Sequence, residues 1–508
     1  MRPHRDDTVL GVLRSPRLLT REALAGIVTT LALVPEVISF SVIAGVDPMV
    51  SLVASIVLAL VMSLLGGRPA MVTAAAGSVA LVIAPLVRAH GVEYVLPAVL
   101  LAGVIQIAFG TAGLARLMRF IPRSVMIGFV NALGILIFMA QVPHLIDVPW
   151  IVYPLFVLTI VIVVLLPRLT KAVPAPLVAI VVVTVIVVAA GLDVTTVGDE
   201  GEMGGGLPGL TPWLVPFSLE TLGIILPTAL SVAFVGLMET LLTAKLVDDI
   251  TETPSRKGKE SWALGVANIA AGAYGGIAGC AMIGQTVVNV KIGRARTRVS
   301  TVVAGLFLLL LVTALSEVMA RIPMVALAAV MMIVAISTVD WHSVRPSTLR
   351  RMPIPETLVM VVTVAVVVAT DNLALGVAVG VLLAMVLFAR RIAHVIRVER
   401  TVEGGAARAD DSAPGSAGPG RDASVRYDVI GPLFFGSSND LVEHFSYADD
   451  PARVTIDLTR ASVWDASSVA ALDAVGTKYA AHGVEVEFVG LDERSTEFHG
   501  RLTGRLGS

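Results

Sequence analysis

GLMETLLTAKLVDDITETPSRKGKESWALGVANIAAGAYGGIAGCAMIGQTVVNV (residues 236–290) is the stretch on which the fold turns. It opens inside an apolar run that begins near residue 219 and carries an acid, Glu239. A polar turn with Arg256, Lys257 and Lys259 follows, then a second apolar run over 262–278. Gly279, Cys280 and Ala281 lead into a short piece rich in small residues, 282–291. Long apolar runs joined by short basic loops, with a half-length piece among them, describe a chain that crosses a bilayer.

The rest of the chain repeats this pattern. Hydrophobic residues make up 56% of the 508 and charged residues 15%, with a mean hydropathy of +0.86, more apolar surface than a soluble domain can enclose. Runs near 24–43, 48–65, 94–114, 124–142, 150–166, 174–191, 219–243, 262–278, 300–320, 324–338, 355–370 and 373–393 are expected spans. Two shorter Gly/Ala-rich pieces, near 74–88 and 282–291, are expected half-spans, which brings the total to fourteen. Basic residues should gather on the cytoplasmic side. With the N-terminus inside, the cytoplasmic loops hold Arg116, Arg119 and Arg123; Arg168 and Lys171; Arg256, Lys257 and Lys259; Lys291, Arg294, Arg296 and Arg298; and Arg345, Arg350 and Arg351. The outer loop 192–217 holds Asp193, Asp199, Glu200 and Glu202 without Lys or Arg. The alternation, to which Arg88 and Arg321 are exceptions, works only if both short pieces cross. The expectation is a multi-pass protein of the cell membrane with both termini cytoplasmic. The polar N-terminus runs straight into 24–40 with no small-residue cleavage site, so a removed signal peptide is not expected.

After residue 400 the character changes. Residues 1–23 are read as a cytoplasmic segment, 24–398 as the transmembrane domain, 399–424 as a flexible Gly/Ala/Ser/Pro/Asp linker and 425–508 as a small α/β domain. In that domain 454–458 and 484–489 read as strands and 466–481 as a helix.

Two segments of the membrane region are alike. Val34-Pro35-Glu36-Val37 and Leu237-Met238-Glu239-Thr240 each set an acid in a span. Each is followed by a small-residue piece, Ala76-Gly77-Ser78-Val79 and Ile283-Gly284-Gln285-Thr286. In the topology above the two halves begin on opposite faces, so the repeat is inverted, and such repeats place a transporter's site at their interface. A helix that starts within the membrane presents unpaired N–H groups and the positive end of its dipole. Two such starts facing each other make an anion site without a basic side chain. Ala74, Ala75, Ala76 and Gly77 before the first start, and Gly279, Cys280 and Ala281 before the second, are small enough for close approach. The plainer alternative is that these runs are helix-packing surfaces. Glu239, costly to insert, is a candidate proton carrier, with Thr243 one turn on along the same face. Its alternative is a structural ion pair with Lys245 or Arg68. Glu36 either lines the cavity or is satisfied by Ser39 and backbone groups.

At these residues the chain resembles the SulP anion permeases, prokaryotic relatives of the animal sulfate/anion exchangers. Residues 236–290 and LVPEVISFSVIAGVDP (33–48) carry the likeness. The resemblance implies fourteen segments in two inverted seven-segment repeats, an architecture shared with nucleobase transporters. It also implies gate and core subdomains, elevator-like motion and homodimers. By position it places Ser78 and Val79 at the first half-helix start and Met282, Ile283 and Gly284 at the second, with Glu36 and Phe40 lining the cavity from the first span. The family's usual glutamine is Glu36 here, and the stretch after Asp47-Pro48 reads Met49-Val50-Ser51-Leu52-Val53 rather than Tyr- and Gly-rich. A carboxylate at 36 repels a dianion unless protonated, which favours proton coupling or a less charged anion such as bicarbonate. In sodium-coupled bicarbonate members the positions of Glu239 and Thr243 resemble sodium ligands, so Na⁺ is the alternative to H⁺.

The C-terminal region, with GPLFFGSSNDL (431–441) and VTIDLTRASVWDASSVAAL (454–472), resembles the STAS fold, which makes Ser467 a candidate phosphosite with a regulatory protein as partner. A plain helix cap by Asp465 or Ser467 is the alternative. The expected function is secondary active transport of sulfate, bicarbonate or a dicarboxylate. The alternatives are a sodium-coupled bicarbonate symporter, a channel, a nucleobase transporter and a membrane sensor signalling through its STAS domain. No P-loop, metal-ligand spacing or nucleophile–base pair is present, so no enzyme, cofactor, metal or nucleic-acid partner is expected.

Overall fold

The computed structural model describes residues 8–115, 121–170, 173–201, 209–393, 396–403 and 424–503. Residues 1–7, Arg116, Arg119, Lys171, Glu202 and 404–423 of the expected linker lie outside the described residues. The chain divides into two units, Met1–Val381 and Leu382–Ser508.

The first unit is helical. It begins with α1 (Val9–Arg14), α2 (Pro16–Ala44), α3 (Pro48–Leu65), the short strand β1 (Thr73–Ala75) and α4 (Gly77–His90). Then come α5 (Val95–Thr111), α6 (Arg123–Gln141), α7 (Val152–Leu169), α8 (Ala175–Ala190) and α9 (Val197–Glu200). The second half opens with α10 (Leu219–Thr251), α11 (Lys257–Gly272), β2 (Gly279–Ala281) and α12 (Ile283–Val287), which continues as a π-helical turn, Val288–Ile292. It ends with α13 (Arg298–Ala320), α14 (Met324–Thr338), α15 (Pro346–Leu349), α16 (Ile354–Thr370) and α17 (Leu373–Ala393), the last of which runs across the division between the units. A helix lies at each of the fourteen expected segments. Among the described residues eight helices are long and apolar enough to cross a membrane, and α4, α8, α14 and α16 are apolar but shorter. Val157 and Val161 of α7 and Val185 of α8 stay exposed, as suits a lipid-facing surface.

Local chemistry sets the helix ends. Gly45, at φ 72°, ends α2 in the left-handed region, and Asp47 then accepts from Met49 N (2.9 Å) ahead of Pro48, the first residue of α3. Small residues set the closest packing: a Cβ on Gly265 of α11 would lie 2.4 Å from the Gly103 carbonyl oxygen of α5. The segment expected to stay apolar and helical through 278 stops at Gly272, and Gly275 turns the chain at φ 77°.

Loops assigned to one side in the sequence meet at one end of the bundle. Glu22 accepts from Arg296 N (2.7 Å) and from the Thr297 hydroxyl (3.0 Å). Glu260 accepts from Gly67 N and Arg68 N, and Arg68 pairs with Asp248 at 3.1 Å. Arg298 donates to the Ser63 and Gly66 carbonyls. Segments assigned to the opposite side also meet one another: Val197 N donates to Ile322 O (2.9 Å), and Thr211 N to Ala273 O (2.8 Å).

The second unit holds a four-stranded sheet in the order β3-β4-β5-β6, from β3 (Arg397–Glu403), β4 (Ser424–Leu433), β5 (Arg453–Val463) and β6 (Glu485–Val489). β4, β5 and β6 are parallel and β3 is antiparallel to β4. Helices α18 (Ser438–Glu443), α19 (Ala466–Ala481) and α20 (Glu493–Leu502) accompany it. Val425, Val429, Ile456 and Leu458 from the strands pack with Val469, Leu472 and Val475 of α19. Residues 399–403, expected as linker, are an edge strand. RVERTVE is mostly exposed, and an edge strand needs only one partner and no buried face.

One buried carboxylate ties that strand to the core. The Asp450 side chain is fully enclosed and accepts from Arg400 (2.8 Å), Tyr427 Oη (2.6 Å) and Tyr479 Oη (2.6 Å). Asp450→Asn removes the charge and sets an amide donor against these donors. It is expected to lower stability by about 1–3 kcal/mol, read as an earlier thermal transition of the second unit in the full chain. An unchanged transition would show that the cluster contributes nothing.

Candidate functional site

The two short pieces of sequence begin as strands. β1 and β2 pair antiparallel, Thr73 with Ala281, Ala74 with Cys280 and Ala75 with Gly279. Met282 N donates to Val72 O at 2.9 Å. Side chains from neighbouring helices hold the remaining backbone groups. Ser55 Oγ accepts from Ala75 N (3.1 Å), Thr240 Oγ1 from Ala281 N (3.0 Å) and Thr286 Oγ1 from Val72 N (3.0 Å). Asn268 accepts from Gly279 N (2.8 Å) and donates to Gly279 O (3.2 Å). Irregular backbone inside an apolar bundle is stable when satisfied in this way.

A helix leaves each strand at once. The first intrahelical amide bond of α4 is from Ala80 N to Ala76 O (2.9 Å), and that of α12 is from Thr286 N to Met282 O (3.0 Å). No side chain caps either start. The amides of Gly77, Ser78 and Val79, and of Ile283, Gly284 and Gln285, are thus the orphan donors of the two helices. Both starts border one cavity of about 360 Å³, lined also by Glu36 and Phe40 of α2, Glu239 of α10, and residues of α6 and α14. Larger hollows, of about 740 and 510 Å³, lie beside Glu317 and Arg321 and beside Trp213 and Phe217, away from either start.

Glu239 joins the two halves of the site. Its Oε2 accepts from Ser78 Oγ, at the start of α4, and from Cys280 Sγ of β2 (3.0 Å). Oε1 takes no hydrogen bond from the described residues, so it is the oxygen open to the cavity. The ion-pair alternative is not what is observed: Arg68 is engaged with Asp248, and Lys245 is exposed.

Of the residues expected at the site, Glu36, Phe40, Gly77, Ser78, Met282, Ile283, Gly284 and Glu239 line this cavity. Two do not. The Val79 side chain is fully buried in packing, leaving only its amide at the helix start. Thr243 is buried too, with its hydroxyl bonded to Glu239 O (2.8 Å) and Ala281 O (3.2 Å), backbone atoms rather than the carboxylate. The sequence reading missed Gln285, which lies against Glu36. It also missed Phe129, Leu133 and Ile137 of α6 and Ser337 and Thr338 of α14. Gln285 follows Gly284 directly and was the one with a readable signal.

In the second unit Asp465 caps α19, accepting from Ser468 N (3.0 Å) and Ser468 Oγ (2.9 Å), while Ser467 is exposed. This is the capping arrangement.

The sequence matches the model of the sulfate permease family over residues 19–152 and 146–363, and that of the STAS domain over 419–499. The chain belongs to the sulfate permease family. A member from Bacillus subtilis (strain 168), named "Putative sulfate transporter YbaR", is 48% identical over 94% of this chain and 95% of its own length. The bicarbonate transporter BicA of Synechocystis is 26% identical over 78% of this chain and 75% of its own. Among solved structures, the transmembrane domain of a cyanobacterial BicA aligns with a TM-score of 0.62 at 25% identity, covering 73% of this chain and 98% of that one. The inward-facing murine Solute Carrier 26 family member A9 aligns with a TM-score of 0.80 over 95% of this chain and 87% of that one. At 17% identity it shows that this permease shares its fold.

Proposed function

We propose that this sulfate permease family member is a secondary active transporter of a small anion. The observation that carries the reading is the convergence of two uncapped helix starts and an enclosed acid, Glu239, on one cavity. The orphan amides hold the anion, and Glu239 takes up and releases the coupling proton through Oε1. A proton suits this acid better than sodium. A proton needs only the open Oε1, whereas a metal cation needs several oxygens around it, and Oε2 already accepts two protein donors.

The fourteen helical segments cross the membrane as two inverted repeats of seven, with α4 and α12 as half-helices. The clustering of Glu22, Arg68, Glu260 and Arg298 at one end, and of Val197, Thr211 and Ile322 loops elsewhere, supports the alternation. The basic end is cytoplasmic, as are both termini, and the membrane is the cell membrane. Transport proceeds by elevator-like movement of the β1–β2 core in a homodimer, with the STAS domain receiving a regulatory protein.

The test is uptake into proteoliposomes of labelled sulfate, bicarbonate, fumarate and chloride, each with and without an inward proton or sodium gradient. One anion should follow the proton gradient. Dependence on sodium instead would reassign the coupling ion, and flux indifferent to either gradient would mark a channel. Gly284→Val supplies the site's own check. A Cβ at Gly284 meets nothing within 4 Å, so the variant should fold with its side chain in the cavity. Loss of about tenfold or more in anion affinity is expected, and unchanged affinity would remove the α12 start from the site.

A further inference from the structure

Glu36 is an unexpected neighbour for an anion. It sits on α2 directly after Pro35, borders the same cavity as Glu239, and has the Gln285 amide against it. Seventeen of the described residues line that cavity, and Glu36 and Glu239 are the only ones among them with ionisable side chains. No lysine, arginine or histidine is among these described lining residues. The favourable field for an anion is therefore confined to the two helix starts and the Gln285 amide, because the Ser78 hydroxyl donates to Glu239 and those of Ser337 and Thr338 donate to Val334 O. A helix start is equivalent to at most roughly half an elementary charge, so the two offset no more than about one negative charge, already short of an ionised Glu36 plus a monoanion and shorter still of Glu36 plus a dianion.

We infer that Glu36 sets the class of substrate: a singly charged oxyanion that carries its own O–H is admitted, and a fully deprotonated divalent oxyanion is excluded. This rests on the transport reading above and deepens it. An ionised Glu36 is an acceptor only, so it accepts the hydrogen bond that a hydrogen-bearing monoanion donates. A fully deprotonated divalent oxyanion such as sulfate has acceptor oxygens alone and meets the carboxylate lone pair to lone pair. It fits only after a proton has first been loaded onto Glu36, whereas the monoanion brings that proton with it. Gln285 holds the carboxyl in place from the second helix start, so the selecting group and the amides that bind the charge act as one site.

The experiment compares labelled hydrogencarbonate with labelled sulfate in proteoliposomes of the full chain at mildly alkaline pH. Binding of each anion is followed in parallel by thermal protection of the purified protein. The native protein should favour hydrogencarbonate by about tenfold or more, one added unit of charge being worth at least that in such a site. Glu36→Gln should raise the sulfate-to-hydrogencarbonate ratio by about tenfold. Glu239→Gln should leave the ratio where it was while lowering gradient-driven uptake of both. Sulfate handled as well as hydrogencarbonate by the native protein, or a ratio unmoved by Glu36→Gln, overturns the inference. If neither anion crosses, the transport reading falls and thermal protection decides selectivity. Protection by hydrogencarbonate and not by sulfate, reversed in Glu36→Gln, sustains it, and protection by neither overturns it.

Discussion

Glu239→Gln is expected to abolish gradient-driven uptake, by about a hundredfold or more, in a protein that still folds and still binds its anion. The amide has the shape of the acid and keeps one oxygen to accept from Ser78 and Cys280, so the contact between α10, α4 and β2 persists. The amide cannot cycle a proton. A carrier deprived of its coupling group loses accumulation and keeps binding, because the orphan amides of α4 and α12 are untouched. The measurement is uptake against a concentration gradient with the proton gradient imposed, beside thermal protection by the same anion. Proton-driven uptake equal to that of the native protein would remove Glu239 from the coupling step. Loss of binding together with uptake would instead make it part of the anion site.

The second large effect is structural. Gly279→Ala is expected to cost about 3 kcal/mol and to leave little folded protein in the membrane. The added Cβ would lie 2.3 Å from the Ala74 carbonyl oxygen and 2.4 Å from Leu58 Cδ1. Neither can yield readily: Ala74 is in the strand pair, and Leu58 is fully buried. Asn268 holds both polar atoms of Gly279, so backing the residue away breaks two hydrogen bonds. Monodispersity and the thermal transition of the purified variant test this directly. A native transition temperature would show that the two strands can separate at no cost. Gly284, five residues on, is the contrast, since its added atom meets open space.

Much of this candidate site is legible in the sequence. An acid in a span advertises itself, because the insertion cost of Glu239 must be met by something. Two small-residue runs at matching distances behind two acids pointed to the helix starts. What could not be read was the pairing of Thr73–Ala75 with Gly279–Ala281. TAA and GCA are three residues each, with no alternation of apolar and polar, and they read equally well as packing surface. The cavity walls from α6 and α14 were silent for another reason. Both helices are apolar on nearly every face, so nothing distinguishes Leu133, which meets the cavity, from a residue that meets lipid. Thr243 shows the limit of face arguments. Helical spacing put it beside Glu239, as observed, but its hydroxyl found backbone carbonyls. β3 escaped notice because its strand pattern is nearly all polar, and the charge that holds it in place, Asp450, lies 50 residues away from Arg400.

The six residues that join β1 to β2 have a thermodynamic consequence. Because the strands are hydrogen-bonded to each other and pinned from α3, α10 and α11, the distance between the two sets of orphan amides is fixed by covalent and ladder geometry. On the transport reading proposed above, the two starts would travel as one rigid unit rather than be rebuilt on each side. Any difference in affinity between the two compartments would then come from the walls that α6 and α14 supply, not from the spacing of the amides.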